Sequence, residues 1–238
     1  MEQMRLDKYL SNGGWGTRTE VKQHIRKGRV TVNGVTQRDP GSKVDPGVDQ
    51  ICLDGKALIL ESQIYYMLHK PAGYVSATCD AREATVMELL PGKCRKDCFP
   101  VGRLDKDTEG LLLVTNDGAL SHRLLSPRRH VDKVYEAHIQ GRVTEKEAAL
   151  FADGVDIGDE RPTLPAELEI LESGERSKVR LTIREGRFHQ VKRMFEAVGM
   201  RVTYLKRLSM GSLRLDETLE KGQCRPLTNE EIEELRRT

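Results

Sequence analysis

The sequence predicts an α+β protein of two domains, a small one in residues 1–57 and a larger one in residues 64–238, joined by a short linker in residues 58–63. A chain of 238 residues is long enough to bury a core in each part. The first part combines helical and hairpin signals, whereas the second begins with apolar, strand-like segments separated by turns.

The composition is typical of a well-solvated protein. Charged residues make up 32% of the chain and hydrophobic residues 37%. No apolar run approaches the roughly 20 residues of a membrane span, and the N-terminus lacks the apolar core of a signal peptide. The five cysteines have no disulfide or zinc spacing. We therefore expect a cytoplasmic monomer with reduced thiols, no metal and no membrane contact.

The net charge of +2 hides two basic blocks. Residues 1–38 contain eight Lys and Arg against three Asp and Glu, and residues 187–207 contain six against one. Two separate basic blocks in a nearly neutral chain indicate a polyanionic partner that is bound at two places.

The first domain carries local signals for a helix and a hairpin. Thr17 and Glu20 have the spacing of a capping box, which begins a helix. The dipeptide Asn33-Gly34 predicts a hairpin after the strand-like Val30–Val32. The predicted helix places three cations on one face, at Arg18, Lys22 and Arg26.

The stretch "RLDKYLSNGGWGTRTEVKQHIRKGRVTVNG" resembles the S4 (α-L) RNA-binding domain, and the resemblance covers residues 4–57. It implies that the cationic side of the helix pair contacts phosphates of folded RNA. Such contacts supply affinity but little sequence information. The residues implied to contact RNA are Arg5, Lys8, Arg18, Lys22, Arg26 and Arg29.

The second domain begins with a predicted buried strand at Ile64–Leu68. Lys70–Gly73 then predicts a turn with a cation at its mouth. We expect the next strand at Tyr74–Thr78 and a short helix at Thr85–Leu90.

A cluster of three carboxylates and two cations, "GRLDKDTEG" at Gly102–Gly110, lies directly before the apolar run Leu111–Val114. Its acids imitate a calcium loop, but the twelfth position is Asn116 instead of Glu, so calcium is rejected. Glycoside hydrolysis also uses two carboxylates. Aromatic residues make up only 5% of the chain, which argues against a sugar platform.

Four motifs in order, "HKPAGYVSAT", "GRLDKDTEGLLLVTNDGALSHRLLSP", "KVYEAHIQG" and "EGRFHQVKRMFEAVG", resemble the pseudouridine synthases that carry an N-terminal S4 domain. The resemblance covers the whole chain. It implies a catalytic domain with a mixed, mostly antiparallel sheet, which isomerises uridine in ribosomal RNA to pseudouridine. The reaction involves no net redox change, so no cofactor and no metal are expected.

The resemblance also implies the catalytic residues. Asp105, directly after Gly-Arg-Leu, matches the family's catalytic carboxylate, and Lys192 matches the basic residue that pairs with it. Tyr135 matches the tyrosine that packs on the target base. Two neighbouring acids are expected only to pair with Lys106 or to cap backbone N–H groups, namely Asp107 and Glu109.

The substrate-binding residues follow from the same resemblance. Leu181 or Ile183 is expected to close the apolar wall of the uracil pocket, and the sequence does not separate the two. Flipping a uridine out of its stack leaves a gap, which the guanidinium of Arg103 is suited to fill. Arg187 and His189 are expected to bind the RNA backbone near the pocket.

The finer prediction concerns the substrate. The segments "SHRLLSPRRHVDKVYE" and "RPLTNEEIEEL" are similar to the small-subunit enzymes of the family, which predicts uridine 516 of 16S rRNA, free or in an assembling subunit. One alternative is a uridine of 23S rRNA. The other, from a different class, is a catalytically inert, S4-type RNA-binding assembly factor.

Overall fold

The computed structural model describes residues 3–58, 63–92, 94 and 98–238. Its contacts divide the chain into two units, Met1–Gln63 and Ile64–Thr238, each with its own hydrophobic core. Of the predicted linker, Leu58 ends the last strand of the first unit, and residues 59–62 lie outside the described residues. Among the helices described, none is long and apolar enough to cross a membrane.

The first unit consists of two short helices and six short strands within the described residues. In chain order they are β1 (Met4–Arg5), α1 (Leu6–Asn12), α2 (Arg18–Arg26), β2 (Val30–Val32), β3 (Val35–Gln37), β4 (Lys43–Val44), β5 (Ile51–Leu53) and β6 (Lys56–Leu58). Strands β3, β2, β5 and β6 form an antiparallel sheet in that order, and β1 pairs with β4.

The local signals of the first unit are confirmed. The Thr17 N–H donates to the Glu20 carboxylate at 2.7 Å and the Thr17 hydroxyl accepts from the Glu20 N–H at 3.3 Å, so the capping box begins α2 as predicted. Asn33 and Gly34 both have positive φ, which is the backbone of the hairpin turn that joins β2 to β3. Apolar side chains of both helices pack with the strands in one core.

Within the described residues, the second unit is built on one large sheet with four helices. Its elements are β7 (Tyr65–Lys70), β8 (Phe99–Pro100), β9 (Glu109–Thr115), α3 (Gly118–Leu125), β10 (Lys133–Gln140), α4 (Glu145–Asp153), β11 (Glu167–Glu172), β12 (Arg176–Ile183), α5 (Gln190–Ala197), β13 (Arg201–Met210), β14 (Leu213–Arg214), β15 (Cys224–Pro226) and α6 (Asn229–Arg237). Two 3₁₀ turns, Val86–Leu89 and Pro127–Arg129, complete the described elements.

The main sheet has the order β11-β12-β10-β13-β9-β7-β15, with β14 beside β13 and β8 beside β9. Only the β13–β9 pairing is parallel among those described, and the others are antiparallel. The predicted α+β class with a mixed, mostly antiparallel sheet is therefore confirmed.

The charged segment precedes a strand that is covered on both faces. In β9, Leu112 and Val114 pack in one hydrophobic cluster, which also holds Phe195 of α5. Leu111 and Leu113 pack in a second cluster with α3 and α6. A strand buried on both sides is expected to be a continuous apolar run, as this one is.

Gly110 allows β9 and β13 to approach each other next to that segment. A Cβ at this position would lie 2.2 Å from the carbonyl oxygen of Arg207, and the φ of Gly110 is +103°. Any other residue would clash with β13 and strain the backbone. The glycine therefore fixes how the loop before β9 enters the sheet.

The predicted strand at Tyr74–Thr78 is wrong. Val75 makes only an isolated bridge to Thr85, and Ser76 bonds to the backbone of Leu104 instead of to a neighbouring strand. The segment is a loop that is bonded to the charged motif through Ser76 and Leu104. The helix predicted at Thr85–Leu90 is a single 3₁₀ turn.

Candidate active site

Asp105 lies in the loop between β8 and β9, and its backbone is fixed by neighbours. The hydroxyl of Ser76 accepts from the N–H of Leu104 at 3.0 Å and donates to the carbonyl of the same residue at 2.9 Å. The N–H of Thr108 donates to the carbonyl of Asp105 at 3.0 Å and closes a turn. The sequence did not indicate the contribution of Ser76, because it depends on a loop predicted to be a strand.

Lys70, at the end of β7, lies fully buried beneath the same loop. Its ammonium, with three N–H groups, lies within hydrogen-bond distance of four carbonyl oxygens, those of Pro71 (3.1 Å), Asp105 (3.0 Å), Lys106 (3.3 Å) and Thr108 (2.8 Å). Burial lowers the pKa of Lys70 to about 8, although the nearby charges of Asp107, Asp105 and Glu109 act in the opposite direction. Lys70, which the sequence predicted as a cation at a turn, therefore supports the Asp105 loop.

The carboxylate of Asp105 faces two basic side chains from the start of α5. Nζ of Lys192 lies 3.3 Å from Oδ2, and Nε2 of His189 lies 3.5 Å from Oδ1. The side chain of Asp105 is 25% exposed, so it is open to a ligand but not on the free surface. The structure thus brings together three residues that the sequence analysis selected.

Lys192 binds a second acid more closely than the first. Its Nζ lies 2.6 Å from Oδ1 of Asp107. Burial pulls the pKa of Lys192 down, but the hydrogen bond to Asp107 and the charge of Asp105 outweigh it and raise that pKa. Lys192 therefore stays charged and is held between two carboxylates.

The loop acids do not pair with Lys106, but the other expectation, a bond to a backbone N–H, holds for Glu109 at Ala72. Lys106 pairs with Glu83 at 2.5 Å instead of with Asp107. Glu109 is the first residue of β9 and is buried, and its carboxylate accepts from the Tyr204 hydroxyl and pairs with Lys221 at 2.9 and 2.7 Å. Such pairings join residues far apart in sequence, so local spacing did not reveal them.

Tyr135 and Ile183 share a small cavity with Asp105. The cavity has a volume of about 70 Å³, and its lining includes Arg103 and His189 as well. Tyr135, in β10, is 7% exposed, and its hydroxyl makes no hydrogen bond to another described residue. One wall of the cavity is therefore aromatic and apolar, and the other carries the carboxylate.

Leu181 lies deeper than Ile183. It is fully buried, stands opposite Tyr135 in the β10–β12 pairing, and belongs to the hydrophobic core. Ile183 is the one of the two that lines the cavity. The geometry thus separates two candidates that the sequence left equal.

A wider groove of about 720 Å³ leads from Asp105 over the surface of the second unit. Arg103 lines both the groove and the small cavity. Its side chain is exposed and has no hydrogen bond or ion pair with any residue in the described part of the chain. The other charged residues along the groove are Asp80, Lys106, Lys133, Arg187 and His189.

The expected phosphate contact of Arg187 is not favoured by its surroundings. Its guanidinium donates to Glu185 at 3.0 Å and to the carbonyls of Arg161 and Pro162 at 2.6 and 2.7 Å. These bonds fasten the segment around Pro162 to the start of α5. Arg187 is thus engaged within the protein, in contrast to Arg103.

The six cations of the first unit that are predicted to contact RNA differ in whether they already pair with an acid of the protein. Arg5 makes a two-point ion pair with Asp7, and Arg29 pairs with Asp54. The Arg29–Asp54 pair is exposed on both sides and contributes little stability, whereas Asp7 is buried, so Arg5 is the more firmly held of the two. The remaining four lie on α1 and α2, where Lys22 is half-buried and the others are exposed: Lys8, Arg18, Lys22 and Arg26.

The site supplies an ionisable carboxylate, a charged lysine, an imidazole and a flat apolar wall. Such a set can bind a planar ring and act as a base or nucleophile on the atom beside it. Within the described residues, no cluster of three or more His, Cys, Asp or Glu could hold a metal.

Comparison with known proteins identifies the class. Residues 64–197 match the RNA pseudouridylate synthase family, and residues 4–49 match the S4 domain. The chain is 47% identical to the RNA pseudouridine synthase YtzG of Bacillus subtilis, over 96% of this chain and 97% of that one. It is 43% identical to the ribosomal small subunit pseudouridine synthase A of Escherichia coli, over 96% and 98%.

A crystal structure of a pseudouridylate synthase matches this fold with a TM-score of 0.69 at 39% identity, over 98% of this chain and 99% of that one. Together the matches define an enzyme that modifies RNA and carries a separate RNA-binding domain. The chain belongs to the RNA pseudouridylate synthase family, as the sequence motifs predicted.

Proposed function

We propose that Asp105 is the carboxylate with which this enzyme isomerises a uridine of ribosomal RNA, and that the target is uridine 516 of 16S rRNA. The observation that carries the catalytic part is the contact of Asp105 with Lys192 beside Tyr135 in a partly closed cavity. The choice of 16S rRNA rests on the small-subunit relatives, one of which is 43% identical.

The proposed reaction exchanges one bond of the ribose for another. The bond from C1′ to N1 of uracil breaks, the ring turns, and C1′ bonds to C5. The proton on C5 leaves and N1 gains one. Asp105 acts either by adding to the ribose or by removing its C2′ proton, and both roles require the ionised carboxylate. Lys192, at 3.3 Å, stabilises that form.

We also propose that the enzyme needs no cofactor and no metal. Since the isomerisation has no net oxidation, it requires no redox cofactor, and a carboxylate suffices without a metal. We propose that the enzyme acts in the cytoplasm, because a relative is a ribosomal small subunit pseudouridine synthase. We propose that it acts as a monomer, because the same chain provides both an S4 domain and a catalytic domain. The domain boundaries proposed are 1–57 for the S4 domain, 58–63 for the linker and 64–238 for the catalytic domain.

We assign the RNA contacts by what the side chains can reach. Arg103 is proposed to fill the gap left by the flipped uridine, because it is exposed, unpartnered among the described residues and next to Asp105. His189 is proposed to contact the target nucleotide, and Ile183 to close the uracil pocket. In the S4 domain, phosphates are proposed to bind at Arg5, Lys8, Arg18, Lys22, Arg26 and Arg29.

The proposed substrate is tested by mapping pseudouridines in the rRNA of cells that lack the protein. We expect the loss of pseudouridine at position 516 of 16S rRNA and its return when the gene is restored. Loss of a pseudouridine from 23S rRNA instead would assign the enzyme to the large subunit. Unchanged rRNA would indicate an inert assembly factor.

Tyr135→Phe is expected to lower kcat about 100-fold with little change in KM. Tyr135 lines the cavity, and its hydroxyl has no protein partner among the described residues, so the hydroxyl is free to move a proton; the Phe variant keeps the ring. Release of tritium from C5-labelled uridine measures the rate. A Phe variant with full activity would restrict Tyr135 to stacking, in which case Tyr135→Leu should be the variant that fails.

A further inference from the structure

Phe188 is an aromatic residue on the surface of the second unit. It is 68% exposed, and among the exposed large apolar residues of the described chain it is the one aromatic. Single exposed apolar residues are common and often without function. The position and rigidity of this one distinguish it.

The ring of Phe188 is held in place by its neighbours. It stacks on the imidazole of His189, with centroids 3.8 Å apart and planes 17° apart. His189 adopts a left-handed backbone with φ of 49°, which non-glycine residues rarely do and which tends to occur at functional sites. Arg193 of α5 donates to the carbonyl of Phe188 at 3.2 Å, and its N–H donates to the carbonyl of His189 at 3.0 Å.

The stacked pair lies at the edge of the site. The imidazole of His189 is 3.5 Å from Asp105, and Phe188 lines the same groove as Asp105. One face of the Phe188 ring rests on His189, so its exposed area is mainly the other face. The free face of Phe188 therefore lies on the far side of the ring that stacks on His189, and His189 in turn contacts the carboxylate of Asp105.

The groove is lined by cations as well as by this ring. Of its cations, Lys133 is buried, Arg187 is bonded within the protein and Lys106 pairs with Glu83, so Arg103 is the one without a partner among the described residues. Cations bind the phosphates of a strand, and a flat ring binds an unpaired base through its face. A protein partner would instead need a larger apolar patch around the ring, whereas the groove surrounds it with charge.

We propose that Phe188 is a stacking platform for a base adjacent to the target uridine. This inference rests on the function proposed for Asp105. It adds a residue that positions the RNA strand once the target uridine has been flipped out. The rigid Phe188–His189 pair holds the neighbouring base at a fixed distance from the carboxylate, so the target nucleotide enters the cavity in one register.

The first test compares shapes at position 188. Phe188→Leu keeps an apolar side chain but removes the flat face, and Phe188→Trp keeps the face. With C5-tritiated transcripts of 16S and 23S rRNA, we expect Phe188→Leu to raise KM about tenfold with little effect on kcat, and Phe188→Trp to retain the parent KM. Equal kinetics of the Leu variant and the parent would overturn the proposal, as would a Trp variant as weak as the Leu variant.

The second test does not depend on catalysis. The chain has a single tryptophan, Trp15, so Phe188→Trp combined with Trp15→Phe provides one fluorophore at the proposed platform. We expect oligouridylate to quench its emission, and an abasic strand of equal length to leave it unchanged. Equal quenching by both strands would show that the ring senses the backbone and would overturn the proposal.

The same titration in an Asp105→Asn background separates this inference from the proposed function. Quenching should persist there, because the carboxylate does not bind the neighbouring base. If Asp105→Asn kept its isomerase activity, the proposed function would be wrong while the quenching still reported on Phe188.

Discussion

Asp105→Asn is expected to abolish isomerisation, with a fall in kcat of about a thousandfold or more. The amide has nearly the size of the carboxylate, so the loop supported by Lys70 and Ser76 should keep its conformation. What disappears is the negative charge that faces Lys192 and His189, and with it the nucleophile or base. Tritium release from labelled rRNA measures the rate, and RNA affinity should stay within a few-fold.

Asp107→Asn is the matched control, because it makes the same chemical change two residues away on the same lysine. The side chain of Asp107 is 72% exposed and is not among the residues that line the small cavity. We therefore expect its activity to remain within a few-fold of the parent. An active Asp105→Asn enzyme, or equal losses in both variants, would contradict the specific role proposed for Asp105.

The parts of the structure that the sequence predicted are those with local signals or with family motifs. The capping box at Thr17 and the hairpin at Asn33-Gly34 depend on residues a few positions apart, so their spacing is informative. The approach of Lys192 to Asp105 joins distant segments and could be predicted only because the motifs around both residues resemble a family.

The parts that were missed depend on backbone groups far away in sequence. Ser76 and Lys70 act on carbonyl and N–H groups of the Asp105 loop, and every residue carries such groups, so no sequence pattern marks the partner. The engagement of Arg187 with Pro162 was invisible for the same reason. Phe188 is exposed beside the left-handed backbone of His189, and helix and strand periodicity predict neither feature.

Lys70→Met is expected to destabilise the protein by about 3 kcal/mol and to reduce activity at the same time. Replacing a buried charge by an apolar side chain can be neutral when its partners leave with it. Here the partners are four backbone carbonyls that remain. Two of them keep another donor, since Thr108 bonds to Asp105 and Gly73 bonds to Lys106, so the loss is smaller than for four orphaned acceptors.

The pH dependence of unfolding gives a second signature of Lys70. Burial lowers the pKa of Lys70 from 10.5 to about 8 in the folded protein. Between these two values the unfolded chain binds more protons than the folded one, so this group makes the folded state more stable as the pH rises. The stability advantage of the parent over Lys70→Met should therefore widen between about pH 8 and 10.5.

Lys106→Met serves as the control for the loss of a lysine in the same loop. The Lys106 side chain is 51% exposed and pairs with Glu83 at the surface, so its removal should change stability by less than about 1 kcal/mol. Denaturant unfolding of the two variants and the parent measures the difference. If Lys70→Met unfolded at the same denaturant concentration as the parent, the loop would not depend on the buried ammonium. If the variant were destabilised yet fully active, Lys70 would stabilise the fold without positioning Asp105.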